Sequence, residues 1–222
     1  MQLIYYKLEI MLQFLLMKKV KNDNIDRNER IRKVMKKIFD KFQYNSPVTL
    51  TFAFISLAVL ILGYMTGGFT TNLLFSAHRT SLLDPFTYFR LFGHVLGHAN
   101  WSHYSGNMVL FLVLGPMLEE KYKPKAFLTM ILITAFISGL FYIVLFPGSV
   151  LLGASGVVFM MIVLSSAAGV KDGKIPLTLI LVLIVYLGGE VLSIGSKDGI
   201  AHAAHILGGI CGAGFGLTRR RL

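Results

Sequence analysis

Several apolar runs of about 18 residues or more follow one another through most of the chain after residue 47, and each is long enough to cross a hydrocarbon core about 30 Å thick. A water-soluble domain has no place to bury so many. In lipid, every backbone N–H and C=O must find its partner within the protein, and a segment that crosses alone does so only as a helix. The sequence therefore predicts an all-α membrane protein with spans near Thr49 to Thr66, His103 to Leu118, Ala126 to Leu145, Ser155 to Gly169, Pro176 to Val191 and Gly199 to Leu217. Composition agrees: 55% of residues are hydrophobic, 15% are charged, and the mean hydropathy is +0.66. The expected organisation is a basic cytoplasmic or interfacial segment over residues 1–47 and a six-span membrane domain over residues 48–222.

Charge orients the spans. The first tail holds 11 Lys and Arg, the connection Glu119 to Lys125 holds 3, Lys171 to Lys174 holds 2 and Arg219 to Arg221 holds 3. The opposite side holds only Arg79, Arg90 and Lys197, so nineteen basic residues face three. The positive-inside rule then puts both termini in the cytoplasm of a multi-pass cell-membrane protein. The same bias accounts for the net charge of +11 without nucleic acid. A single cysteine, Cys211, has no intrachain partner, so disulfides play no part.

The first 17 residues are apolar but contain Lys7 and Glu9 and lack a small-residue cleavage site, so they do not read as a cleavable signal peptide. Two readings stay open: an interfacial helix, or a chain that begins at Met17. From Lys18 to Lys41 basic residues alternate with Ile31, Val34, Met35 and Ile38 at helical spacing, a pattern suited to an anionic membrane surface. The connection from Gly67 to Ser102 is long and lies on the outer side. Its apolar and aromatic patches suit a segment half-sunk in the outer leaflet.

Polar residues within the spans point to chemistry, because in lipid each must find a partner or line a cavity. They are His103 and Asn107 in H-A-N-W-S-H-Y-S-G-N, Ser155 in G-A-S-G, and His205 in A-H-A-A-H-I-L-G. Counting ~1.5 Å per residue from the basic end of each span puts Ser155 at roughly 24 Å, His205 at roughly 21 Å, and His103 and Asn107 at roughly 24 and 18 Å. All four share one layer, several Å below the outer surface. A serine opening a helix lies among unpaired backbone N–H groups, where an oxyanion can be stabilised. Ser155 as nucleophile, His205 as general base, and His103 and Asn107 as hydrogen-bond donors beside the Ser155 N–H would form a Ser-His dyad with an oxyanion hole. Asp198 lies about 10 Å along the helix from His205 and cannot complete a triad.

With these residues the sequence resembles the rhomboid family of intramembrane serine proteases from about Val48 to Leu217. G-A-S-G at Gly153 to Gly156 looks like the nucleophile motif. His98, His103 and Asn107 carry the H-x4-H-x3-N pattern, and His205 and Gly208 carry H-x-x-G. The resemblance implies Ser155 as nucleophile, His205 as base, and His103 and Asn107 as oxyanion donors. It also implies a membrane-dipping first loop, a lateral gate at the fifth span, transmembrane proteins as substrates, and no cofactor or metal. The chain departs from the pattern twice: a Trp-Arg pair is replaced by Phe89-Arg90, and the ring expected to pack on the catalytic histidine is Phe159, which lacks a hydroxyl. Neither change removes a reacting group.

Blander readings exist for each residue. Gly153, Gly156 and Gly208 suit close helix packing, Asn107 can bridge helices, Arg90 can anchor at an interface, and Glu190 can reach water. A non-proteolytic clamp of the same fold leaves the pairing of Ser155 with His205 without purpose. A metal site built from His78, His94, His98, His103, His202 and His205 leaves G-A-S-G unexplained and lacks the zinc-protease signature.

Overall fold

The computed structural model describes residues 27–167, 177–182, 184–185 and 199–218. The chain divides between Asn45 and Ser46 into two units. In the first, α1 (Arg27–Phe39) buries Ile31 and Met35, one turn apart, and exposes its lysines, with Lys36 and Lys37 near the negative end of the helix dipole. The segment Met1 to Met17 lies outside the described residues.

The second unit is mostly helical over its described residues. It contains α2 (Pro47–Met65), α3 (Phe69–Leu74), α4 (Pro85–Gly93), a 3-10 turn (His94–Leu96), α5 (Trp101–Tyr122), α6 (Pro124–Leu145), α7 (Ser155–Ala167), α8 (Leu177–Val182) and α9 (Gly199–Thr218). Proline stands at the first helical position of α2, α4 and α6, where its missing N–H costs nothing. Among the described residues, α2 and α6 are long and apolar enough to cross a membrane by length and composition, and α7 is a shorter apolar helix. The rest of the expected fifth span, with Glu190, lies outside the described residues, as does Asp198.

Helix α7 is the hub. Val157, Val158, Met160, Met161, Val163 and Leu164 are buried all round it, as expected of a central helix with no polar face. It packs against α5, α6 and, most extensively, α9. The stacked rings of Phe52 on α2 and Phe111 on α5, 4.4 Å apart, extend this core. Outward faces stay apolar: Phe54 and Ile61 on α2, Val109 and Val113 on α5, and Leu140 and Val144 on α6 are exposed, a pattern consistent with lipid around the helices.

Two buried polar groups organise the periphery. Glu119 was expected in a connecting loop but lies inside α5, almost wholly buried. Its two oxygens accept the N–H groups of Val48 and Thr49 at 2.9 Å and the Thr49 hydroxyl at 2.8 Å. The carboxylate thus caps the N-terminus of α2, where donors are unpaired and the helix dipole favours negative charge. Arg90, 3% exposed, is likewise no interfacial anchor: its guanidinium donates to the Leu73 carbonyl at 2.8 Å and the Thr80 hydroxyl at 3.0 Å and pairs with Asp84 at 3.2 Å. It gathers the connection between α2 and α5 around itself. Phe89 packs edge-on against Phe75, ring centroids 5.8 Å apart.

Candidate active site

After α6 the chain returns into the helical unit and is held there by backbone. Leu151 and Ala77 exchange two hydrogen bonds of 2.8 Å, and the Gly153 N–H donates to the His94 carbonyl at 2.9 Å. Gly153 is left-handed (φ +121°), and a Cβ there would stand 2.7 Å from His103 Nε2 and 3.7 Å from Asn107 Nδ2. Only glycine satisfies both demands. Ala154, fully buried, follows, and Ser155 is the first residue of α7. Its hydroxyl therefore stands at the helix N-terminus, beside N–H groups that lack intrahelical acceptors.

Helix α5 brings the next two residues. Asn100 caps it by accepting the His103 N–H at 2.9 Å, which puts His103 in the first turn and Asn107 one turn on, on the same face. His103 Nδ1 accepts a long 3.5 Å hydrogen bond from the Ala99 N–H. That leaves Nε2, the atom facing Gly153, to carry the proton in a neutral ring. The Asn107 amide nitrogen is buried and has no hydrogen-bond partner among the described residues. Two donors, one from each side chain, thus border the turn that precedes Ser155.

The last helix brings His205. On α9, a Cβ at Gly208 would run into the Gly156 carbonyl oxygen, one at Gly212 into that of Met160, and one at Gly216 into the Ala167 side chain. This glycine ladder seats the two backbones against each other along the length of α7. At that spacing His205 lies flat on Phe159, centroids 4.3 Å apart and planes 4° from parallel. Phe159 is one turn beyond Ser155 on the same face, so the imidazole sits over the serine side of α7. Ser155 and His205 are both half-buried. His202 meets His205 edge-on at 6.3 Å.

The remaining histidines have separate tasks. His98 is buried, edge-on to His103 at 5.1 Å and to Tyr104 at 5.4 Å, and its Nδ1 donates to the Leu96 carbonyl at 3.2 Å. Burial, with His103 nearby, pushes its pKa down to about 4. His94, singled out by the sequence only as one histidine among six, ties three elements together. Its Nδ1 donates to the Arg90 carbonyl at 3.1 Å, its Nε2 meets the Ser138 hydroxyl of α6 at 3.3 Å, and its carbonyl holds Gly153. Burial lowers it also to about 4. Gly139 allows this close packing, since a Cβ there would stand 2.8 Å from the Leu91 carbonyl. His78 instead pairs with Ser76. Among the described residues, no three His, Cys, Asp or Glu side chains gather as a metal site would require.

No helix was expected at α4, whose local signal in the sequence is Asp84-Pro85: Asp84 caps it by accepting the Phe86 N–H at 3.0 Å. The junction of His94 with Ser138 has no local signature, because its partners lie 44 residues apart.

Compared with known protein families, the chain matches the Rhomboid domain over residues 85–222, which takes in α4 through α9. Among curated proteins, no match is found.

Proposed function

The chain belongs to the rhomboid family of membrane-embedded intramembrane proteases, and from that premise we propose that it is a serine endopeptidase that hydrolyses peptide bonds of transmembrane proteins near the outer face of the cell membrane. The observation that carries the reading is the parallel stack of His205 on Phe159, one turn from a serine that opens a helix.

In this mechanism Ser155 Oγ attacks the scissile carbonyl carbon while His205 takes the hydroxyl proton. The developing oxyanion receives the Ser155 N–H, His103 Nε2–H and the Asn107 amide, donors preorganised in a site with little water to compete. Collapse of the tetrahedral intermediate breaks the C–N bond, His205 passes its proton to the departing amine, and a seryl ester remains. Water, deprotonated by His205, then hydrolyses the ester. Peptide hydrolysis requires a carbonyl released from its own helix, so substrates should carry helix-weakening Gly or Pro and small side chains near the cut. The proposed architecture is a six-span bundle with both termini cytoplasmic, its first outer loop dipping into the leaflet.

The test is cleavage of a single-span substrate in liposomes by the wild type, Ser155→Ala and His205→Ala, with and without chelator. Loss in both folded variants and indifference to chelation support the dyad. Cleavage that survives Ser155→Ala sinks it, and substrate capture without any cleavage by the wild type would favour a clamp.

A further inference from the structure

A second concavity lies in the helical unit away from Ser155. It is a groove of about 660 Å³, walled by the first turns of α2 and α6 and roofed by α4 and the 3-10 turn. That volume lies within the ~300–1,000 Å³ of sites that hold small molecules. Its lining is apolar, with Phe52, Ile55, Phe92 and Leu128 prominent, and the exceptions to that character are Thr51 and Lys125. Water gains little there, having too few polar partners. The groove therefore calls for an apolar occupant with one polar end.

Its dimensions fit one leaflet. From Pro47 to Ile55 on α2, and from Pro124 to Leu132 on α6, the walls rise ~12 Å. One leaflet contributes half of a hydrocarbon core about 30 Å thick, or ~15 Å. Lys125, exposed in the first turn of α6, lines the groove, and Lys121 at the end of α5 and Lys123 between the two helices are exposed close by in the chain. A chain entering between the two helix N-termini would leave its headgroup beside these ammonium groups.

We propose that the groove binds one acyl chain of an anionic phospholipid from the basic-side leaflet, its phosphate held by Lys125. This rests on the orientation given above, with the start of α2 and α6 facing the cytoplasmic leaflet. The end of the chain meets Phe92, Gly93, Val95 and Leu96, which flank His94, and the His94 carbonyl holds Gly153. An occupied groove thus braces the turn that precedes Ser155 from below.

The experiment uses the full-length protein in phosphatidylcholine liposomes doped with a phosphatidylglycerol probe carrying a photoreactive diazirine on its acyl chain, or with the phosphatidylcholine probe of the same chain. Labelled peptides are read by mass spectrometry. The wild type should label at groove residues of α2 and α6, more from the phosphatidylglycerol probe. Lys125→Gln should lower that labelling roughly fivefold and leave the phosphatidylcholine probe unchanged. Leu128→Trp should lower labelling by both probes; Leu128 is 43% exposed, so the larger ring fills the groove without entering the core. Ser155→Ala should label as the wild type does, which separates this result from the fate of the protease reading. Undiminished groove labelling in Leu128→Trp, or equal labelling of the wild type by the two probes, would overturn the proposal.

Discussion

Gly208→Ala is the smallest change that tests whether the last helix positions His205, the proposed base. The added methyl would collide with the Gly156 carbonyl oxygen, a backbone atom that cannot turn aside, and carbon contacts below 3.0 Å are essentially never seen for real Cβ atoms. The two helices must therefore part by on the order of 1 Å, and His205 moves with its helix. Overpacking of this kind costs ~1–3 kcal/mol, against a helix-propensity gain of ~1 kcal/mol for Ala over Gly. Net stability should fall by no more than about 2 kcal/mol. Activity should fall much further, because a ~1 Å misplacement of a reacting group costs ~10²-fold. The control is Gly214→Ala on the same helix, where the new methyl meets nothing within 4 Å. It should leave kcat unchanged and raise stability by up to ~1 kcal/mol. Both variants would be assayed for kcat on a single-span substrate in liposomes and for thermal unfolding in detergent. A Gly208→Ala enzyme with wild-type kcat would refute the idea that this backbone contact sets the place of His205.

Phe159→Ala removes the surface on which His205 lies; kcat should drop ~5- to 10-fold with KM little changed, and Phe159→Tyr should restore it. Glu119→Gln turns an amide NH₂ towards a backbone N–H at the start of α2 and should lower unfolding stability by about 2–3 kcal/mol, whereas Thr49→Val, which removes one hydrogen bond, should cost about 1 kcal/mol; denaturation in mild detergent would show both. His94 and His98, held at about 4 when folded and near 6.5 when unfolded, bind protons only in the unfolded state between those values. Stability should therefore be insensitive to them above pH 6.5 and decline by about 1.4 kcal/mol per pH unit per histidine as pH falls towards 4, so a midpoint constant between pH 7 and 5 would contradict their burial as neutral rings.

What the sequence revealed and what it hid divide along the range of the interactions. The positions of Ser155 at a helix start and of His103 and Asn107 one turn apart are legible because they depend on spacing within one helix or at one helix end. The expected span Thr49 to Thr66 corresponds to α2 within two residues, because a proline and an apolar run mark it locally. The span expected from His103 to Leu118 is longer, Trp101–Tyr122: Asn100 caps it earlier, and Glu119 continues it because its charge is satisfied 70 residues away on α2. No periodicity along the chain reveals such a partner. The same holds for Arg90, which the sequence allows as an interfacial anchor and whose partners arrive from Leu73 and Thr80. Phe159 lay between the two cases. Its spacing from Ser155 was visible in the sequence, while its contact with His205 depends on how closely α9 approaches.

The backbone ties at Ala77–Leu151 and His94–Gly153 carry a consequence for how this chain can vary in length. They fasten two points of the connection between α2 and α5 to two points only two residues apart on the segment that leads to Ser155. The stretch between Ala77 and His94 is thereby a closed bight, its base clamped beside the turn that leads to Ser155 and its tip, Leu82 and Leu83, 70% and 93% exposed. Lengthening a loop at its tip costs little, since closure entropy grows only with the logarithm of length. A single inserted residue between Leu151 and Gly153 would instead put the two ties out of register and turn the serine away from its partners. Related chains should therefore differ freely in size at the tip and hardly at all at the base.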